Sequence, residues 1–532
     1  MMSAVDLPAS SVTMQTPSMR KGWADGRFAS IFRQPTWLIA HAWVSALVLL
    51  TIGAVVSVAW SPHIGIGFSA FAYFLLCLRI ERRHLDQLIM PPIVLIGFQH
   101  MLSCGLGLPL LWYGIAYRYA GSGLLNLPIL ETQLCHALGL PVLMFGYWLA
   151  RSGTPAFTLP MVRPRTPERL YRLLCMVGWF FLVYYVVYLL VGFATGGTDR
   201  SRYEQEFLAQ SGFTTWSIFN IFPRLQIMYF VLLPLMYRLA RTPGRIFLFA
   251  FNGFLFFTFF ISGSRGMLLT PICLVLVGWW SFGNVSRRVI SFITVMALLT
   301  LLYVPLIALY RSTDAFMNSR QQDWWGRLAA FADVKKELQN WDWEGLVQLT
   351  GQSFYGVSDE LIFSRTPSEI PHSGWDNIDR LKYFWLPSQV APGKKSLLDG
   401  NEIVSTYMDN QEIFGSGISF SADMYRRFGW SGILAGNLCL GLFLGLFFRW
   451  VFRLQIRHKE LWAVLLLVYF MSYFTSTPYR TLLGTAWIWL WELPKHLVVL
   501  YVFVLIAGAI DRTQRISSRS KAANPKTVMP AT

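Results

Sequence analysis

The chain has 532 residues, of which 54% are hydrophobic, 16% aromatic and only 14% charged, and its formal net charge is +17. Soluble domains carry about 25% charged residues, so this composition excludes an ordinary soluble protein and favours one embedded in a membrane. A strongly basic balance is also seen in nucleic-acid-binding proteins, but we predict no nucleic-acid partner because the arginines follow membrane topology.

Apolar runs recur along the chain after a polar arm at 1–35, and each is long enough to cross a hydrocarbon core of about 30 Å. Lipid offers no partner to backbone N–H and C=O groups, so these runs predict helices. We predict an all-α polytopic membrane protein with about 12 transmembrane helices, nine within 36–310 and three within 429–510. The runs are 36–60, 63–79, 89–113, 132–150, 173–194, 216–237, 246–262, 267–282, 289–310, 429–448, 461–476 and 483–509.

A polar stretch at 311–428 separates the ninth predicted helix from the tenth, and it is rich in Trp, Tyr, Asp and Arg. A large segment placed this late is unusual in a transporter and typical of an enzyme that acts at one membrane face. The 6 cysteines all lie in or beside apolar runs, and no CxxC or Cys/His metal spacing occurs. We therefore predict one large, partly helical loop without disulfides, and neither a metal nor another cofactor.

The distribution of Lys and Arg predicts the orientation. If the N-terminal arm is cytoplasmic, most of the 45 Lys and Arg residues fall in the arm, in the inward loops and in the C-terminal tail. This pattern satisfies the positive-inside rule at every predicted crossing. We therefore predict that both termini are cytoplasmic, that 311–428 lies on the outer face, and that 511–532 is a disordered cytoplasmic tail.

The arginines that this topology places at or near the outer face need another explanation. Arg265 lies in a Gly-Ser-Arg-Gly turn at 263–266, where the glycines allow close approach of a ligand. Arg224 lies beside Pro223 inside the sixth run, where an ionisable group is costly and suggests function by default. A guanidinium binds phosphate oxygens bidentately, so converging arginines would suit a pyrophosphate, although snorkelling or a structural ion pair is the alternative for each. The candidates are Arg200, Arg202, Arg224, Arg265, Arg311 and Arg480.

The predicted outer loop has a pattern of its own, in which tryptophans alternate with acids and amides. Aromatic faces with polar neighbours hold sugar rings, but a domain of this size also needs a core, and we expect most of these side chains to form it. The residues are Trp324, Trp325, Trp341, Trp343, Trp375 and Trp385.

Three segments of the chain carry recognisable motifs. The first is the Gly-Ser-Arg-Gly turn at 263–266. The second is Phe-Trp-Leu-Pro at 384–387 followed by Pro-Gly-Lys-Lys at 392–395. The third is Ser-Ala-Asp-Met-Tyr at 421–425 with Phe-Gly-Trp-Ser-Gly at 428–432, which leads into a glycine-rich predicted helix. Together these segments resemble the O-antigen polymerase family of oligosaccharide repeat-unit polymerases. The match departs from the family pattern at Asp423, where the family often has Glu, and at the charged pair Arg426-Arg427.

The resemblance implies a glycosyltransferase bundle of the GT-C type in a bacterial inner membrane, with the large loop periplasmic. Such enzymes transfer a glycan from undecaprenyl pyrophosphate to the sugar hydroxyl of another lipid-linked repeat unit, with inversion. The implied partners are this lipid-linked oligosaccharide, membrane lipids, and a chain-length regulator and flippase of the same pathway. The reaction needs positive charge on the departing oxygens, which arginines supply without a metal.

The outward arginines and the family motifs together predict the site. The predicted catalytic residues are Arg202, Glu204, Arg265 and Arg311. The predicted substrate-binding residues are Arg200, Arg224, Arg480, Trp385, Lys394, Asp423 and Tyr425. The general base is left open among Glu204, Glu402 and Asp423.

Two other functions are compatible with the sequence. A ligase of the same superfamily would transfer finished glycan to another acceptor and would carry a functional His in the loop, where His372 is the only histidine. A transporter or flippase of lipid-linked sugars would also fit twelve spans with both ends inside, although it would not be expected to carry a large outer loop so late in the chain.

Overall fold

The computed structural model describes residues 41–81, 92–118, 130–151, 167–194, 223–261, 265–282, 358–383, 400–407, 418–453 and 481–523, with isolated residues between 303 and 351 and between 461 and 473. These residues are helical or lie in turns, and no strand occurs among them. The helices are α1 Ala42–Ala59, α2 Pro62–Ile80, α3 Pro92–His100, α4 Leu108–Arg118, α5 Leu130–Arg151, α6 Pro167–Ala194, α7 Pro223–Leu239, α8 Thr242–Ile261, α9 Arg265–Phe282, α10 Ser358–Arg365, α11 Gly400–Tyr407, α12 Phe420–Arg453, α13 Leu482–Trp487 and α14 Leu493–Ala523. A π-helical turn, Met101–Gly107, joins α3 to α4, a second, Ile488–Glu492, joins α13 to α14, and a short 3-10 helix spans Ile378–Lys382.

The protein is embedded in a membrane by its apolar helices. Within the described ranges, eight helical segments are long and apolar enough to cross one, and two further apolar helices, Ile227–Leu239 and Thr270–Trp279, are shorter. The side chains of Leu47 and Val58 on α1 are 62% and 91% exposed, as expected of a helix that faces lipid. The predicted runs 289–310 and 461–476 fall largely outside the described residues, so the total of twelve remains a prediction. The eight segments are Ala42–Ala59, Pro62–Ile80, Pro92–Tyr113, Leu134–Arg151, Leu170–Val187, Thr242–Phe259, Phe420–Arg449 and Leu482–Ile510.

Close helix packing holds the bundle together around α5. A Cβ added to Gly441 of α12 would lie 2.1 Å from the carbonyl oxygen of Leu143 on α5, so only glycine allows this approach. At the C-terminal end of α5, the Arg151 guanidinium lies 3.1 Å from Glu81 Oε2, and Tyr147 donates a hydrogen bond to the same carboxylate. This buried ion pair joins the ends of α2 and α5. It gives the buried Arg151 side chain a structural role.

The helix α12 is folded into a hairpin at Gly429, which we name the return hairpin (420–453). Gly429 has φ 65° and ψ −151°, a non-helical conformation within the helix. Asn437 Nδ2 donates to Ser421 Oγ at 3.0 Å although 16 residues separate them. In a straight helix that separation would be about 24 Å, so the arm 420–428 must lie back along 430–453. The longer arm alone measures about 36 Å, enough to cross a membrane. The predicted boundary between loop and tenth helix, at 428/429, coincides with this break.

Replacing Gly429 by alanine is expected to destabilise the protein by about 1–3 kcal/mol, because the backbone conformation at this position is essentially restricted to glycine. An added Cβ would meet only the His372 ring, at 3.5 Å, so the cost arises from the backbone and not from a clash. Thermal unfolding in detergent measures the effect. The control is Gly253→Ala in α8, where an added Cβ meets nothing within 4 Å. Equal melting temperatures for the two variants would show that the hairpin does not depend on Gly429.

The C-terminal tail corrects one prediction. Residues 511–532 were predicted to be disordered, but α14 continues without a break to Ala523. Extending an existing helix adds one hydrogen bond per residue without the cost of nucleation. Composition identified 511–532 as polar but gave no sign that α14 continues into it. Residues 524–532 lie outside the described part of the chain.

Candidate functional site

The structure describes four of the eleven predicted site residues. Arg265 lies in the first turn of α9, four residues after α8 ends, and Arg224 lies in the first turn of α7. Helix N-termini carry positive partial charge and favour anions, so both positions suit the predicted phosphate contacts. Asp423 and Tyr425 lie on the short arm of the return hairpin. The residues outside the described ranges, whose roles stay predictions, are Arg200, Arg202, Glu204, Arg311, Trp385, Lys394 and Arg480.

Asp423 is the centre of a buried charge cluster, which we name the Asp423 hub (Asp423, Arg426, Arg427). Its Oδ1 accepts hydrogen bonds from Nε and Nη2 of Arg426 at 3.0 and 2.8 Å. Its Oδ2 accepts from Arg427 Nε at 3.2 Å and from the backbone N–H of Leu482 at 2.7 Å. The side chains of Asp423 and Arg427 are both 0% exposed. One carboxylate therefore joins two turns of its own arm to the start of α13.

The two arginines of the hub also fix the segment 373–376 to the hairpin. Arg426 Nη1 donates to Ser373 Oγ at 2.9 Å, and Arg427 Nη1 donates to the carbonyl oxygens of Gly374 and Asp376 at 3.1 and 2.8 Å. In return, the N–H groups of Ser373 and Gly374 donate to the carbonyls of Arg426 and Arg427 at 3.1 and 3.0 Å. Arg426 and Arg427, the charged pair that departs from the family pattern, thus bond both to Asp423 and to the segment 373–376.

The geometry favours a structural role for Asp423 over the roles of substrate ligand or general base. Each oxygen of the carboxylate already accepts two hydrogen bonds, and guanidinium groups supply three of these four, so neither oxygen is left open to a substrate hydroxyl. Glu402, another candidate base, is held bidentately by Arg380 at 2.8 and 3.0 Å. Of the three bases left open by the sequence, only Glu204 lies outside the described residues.

Tyr425 belongs to an aromatic cluster that packs the segment 358–383 on the hairpin. Its ring stacks on Phe363 at 4.1 Å between centroids and meets Trp430 edge-on at 5.7 Å. Its hydroxyl donates to the carbonyl oxygen of Thr366 at 3.3 Å, and the Thr366 and Tyr407 hydroxyls lie 2.6 Å apart. Buried aromatic pairs of this geometry add about 0.5–1.5 kcal/mol beyond the area they bury. The described surroundings of Tyr425 are therefore protein side chains, with the ring only 7% exposed.

No protein-family model, curated protein or solved structure matches this chain. The candidate function therefore depends on the residues and their geometry, together with the motif resemblance.

The described part of the predicted outer loop also presents aromatic and imidazole side chains to its surroundings. Trp375 is 72% exposed, with its ring 4.8 Å from that of Phe428. Among the six loop tryptophans it is the one that the structure describes, and it is not part of a core. His372 is exposed and lies edge-on to Tyr425 at 5.8 Å, beside the hairpin turn at Gly429.

A buried group of ionisable residues was missed by the sequence reasoning. Asp359 of α10 lies against His136 of α5, and the ring of His100 at the end of α3 is 6.5 Å from that of His136. The two histidines fall inside predicted membrane spans, where any ionisable side chain suggests function. That signal was present in the sequence. The position of Asp359 next to His136 could not be predicted from the sequence, because Asp359 lies far along the chain in the predicted outer loop.

Proposed function

We propose that this protein polymerises oligosaccharide repeat units carried on undecaprenyl pyrophosphate, at the periplasmic face of a bacterial inner membrane. The return hairpin carries the proposal, because it is the segment with the family-like residues 421–425 and 428–432. A polar segment, 358–383, is fastened over its turn. Polymerases of this kind need a folded extramembrane segment held at the level where a lipid-linked glycan emerges from the membrane. In this orientation both termini are cytoplasmic.

The proposed chemistry is a metal-independent, inverting glycosyl transfer. The acceptor hydroxyl oxygen forms a bond to the anomeric carbon while the bond from that carbon to the pyrophosphate oxygen breaks. The electron pair leaves with the pyrophosphate. Arg265 and Arg224 lie in first turns of helices, where guanidinium and helix dipole both favour an anion. Positive groups fixed in advance stabilise the charge that develops on the leaving group.

Purified protein in liposomes tests the proposal with a lipid-linked repeat unit as the only substrate. A ladder of lipid-linked products of increasing length is the expected result. Deletion of the gene is expected to leave carriers that bear a single repeat unit. Movement of unchanged lipid-linked oligosaccharide across the bilayer, without new glycosidic bonds, would instead identify a flippase.

A ligase is the second candidate, and the exposed position of His372 beside the hairpin turn favours it. The ligase hypothesis expects one transfer to a different acceptor and loss of that transfer in His372→Ala. The polymerase hypothesis expects the ladder to survive this substitution. Offering the protein both a second lipid-linked unit and a lipid-core acceptor separates the two functions.

A further inference from the structure

A buried ionisable pair lies where the segment 358–383 meets the membrane helices, and the proposed transfer has not used it. Asp359 Oδ2 lies 3.8 Å from His136 Nε2, and the two side chains are only 6% and 11% exposed. Asp359 Oδ1 accepts the backbone N–H of Ser419 at 2.9 Å, just before the return hairpin begins. The carboxylate is therefore held in place between α5 and α12.

Two further buried polar atoms, on the helices that carry this site, are left without a hydrogen bond. Within the described ranges, His100 Nε2 and Thr132 Oγ1 make no hydrogen bond, although their residues are only 9% and 0% exposed. Thr132 lies one helical turn before His136, so both side chains share a face of α5. Leaving such atoms unsatisfied costs about 1–3 kcal/mol each. Buried polar groups of this kind are ordinarily satisfied by a bound water.

The electrostatic surroundings couple the protonation of the two groups. Burial raises the pKa of Asp359, while His136 and the hydrogen bonds from Ser419 act in the opposite direction. A carboxylate next to an imidazole stabilises the protonated imidazole, so a proton taken up by one group is stabilised by the other. Among the residues that the structure describes, the other titratable groups near the site are Tyr73 of α2, Cys104 of the π-helical turn, Cys135 of α5 and Glu360 of α10.

We propose that Asp359, His136, His100 and Thr132 form a buried, hydrated proton site that accepts the proton released by the acceptor hydroxyl. This role depends on the proposed polymerase function. As the new glycosidic bond forms and pyrophosphate departs with the electron pair, the hydroxyl proton passes through the bound water to the His136 imidazole. Asp359 then stabilises the imidazolium. A metal site does not fit, because no group of three or more His, Cys, Asp or Glu residues in the described ranges is placed to hold an ion.

Two variants remove proton exchange while they preserve shape. Asp359→Asn keeps an oxygen that accepts from Ser419, and His136→Gln keeps a donor near the position of Nε2. Each is expected to slow polymerisation about 100- to 10,000-fold, with binding of the lipid-linked unit changed less than twofold. The matched control is Asp379→Asn, an exposed carboxylate on the same segment, which is expected to behave as wild type.

The pH profile distinguishes proton transfer from mere support of the fold. A base must be deprotonated to act, so the wild-type rate is expected to rise with pH through the pKa of the pair and then level off. The residual rate of either variant is expected to lack this rise. A variant that keeps both the wild-type rate and the rise would overturn the relay.

A spectroscopic titration separates this inference from the proposed function. Infrared difference spectra of purified protein in lipid are expected to show a carboxyl band that titrates, that Asp359→Asn removes and that Asp379→Asn retains. If the wild-type protein shows the titrating band but forms no polymer, the polymerase function is refuted while the proton site is retained. Product without the band would refute the proton site alone. If Asp359→Asn fails to insert, Thr132→Val replaces it and is expected to slow polymerisation about tenfold. Its control is Thr51→Val on α1. An unchanged rate in Thr132→Val would contradict the proton site.

Discussion

Replacing Arg265 by alanine is expected to abolish polymer while the protein still inserts into the membrane. The residue lies in the first turn of α9, where its charge and the helix dipole would act together on the departing pyrophosphate. Loss of an arginine that stabilises a phosphate leaving group costs about 1,000- to 100,000-fold in rate in related chemistry. The measurement is the length distribution of lipid-linked products in membranes that contain equal amounts of protein.

Arg265→Lys is expected to fail as well, because an ammonium is a point charge and does not replace the planar fork that binds two phosphate oxygens. Arg245→Ala on α8 is the control, since that exposed guanidinium donates to the nearby carbonyls of Tyr237 and Arg238 and lies over the Tyr237 ring. Full-length polymer from Arg265→Ala would remove the residue from the site. Normal chain lengths from Arg265→Lys would show that charge alone is sufficient.

The second large effect concerns the Asp423 hub, where Asp423→Asn is expected to destabilise the protein by about 3–5 kcal/mol. The wild-type hub has one carboxylate and two guanidinium groups, a net charge of +1, and the variant raises it to +2 in a fully buried site. The asparagine also points a donor at groups that themselves donate. Thermal unfolding in detergent and protease sensitivity of the segment 358–383 measure the loss.

A control and a rescue identify charge imbalance as the cause. Glu369→Gln breaks a pair with Arg365 in which the carboxylate is 63% exposed, and such a surface pair contributes only about 0–1 kcal/mol. The double variant Asp423→Asn with Arg427→Met restores the net charge to +1 and is expected to recover part of the stability. Equal losses in Asp423→Asn and Glu369→Gln, or no recovery in the double variant, would assign the effect to packing instead.

The membrane-spanning helices were the most predictable part of the fold, because lipid requires long apolar runs with internally satisfied backbones. Ten of the twelve predicted runs coincide with described helices, wholly or in part. The return hairpin was predictable only in part. Gly429 between two aromatic residues marked a boundary, but its positive φ and the reversal of the chain come from contacts with the longer arm.

The candidate site was less predictable, for reasons that differ from residue to residue. The Asp-x-x-Arg-Arg spacing at 423–427 allows pairing within one arm, since side chains three and four residues apart meet on a helix. The third partner, the N–H of Leu482, could not be read from any local pattern. The pairing of Asp359 with His136 is likewise a product of tertiary packing. Arg265 lies at the start of α9, close to the end of α8, and its role in the chemistry stays a prediction.

The hydrogen bond from Leu482 to Asp423 also orders the assembly of the molecule. Asp423 and Leu482 are separated by 59 residues in the sequence, so Asp423 leaves the ribosome well before Leu482 has been synthesised. At about 5–20 residues per second, the interval is about 3–12 s. The hairpin and its arginines are thus synthesised first, and the end of the bundle where the glycan would be handled is completed only when the final span arrives. A chain that stops before Leu482 would lack the closing contact however well its earlier helices had inserted.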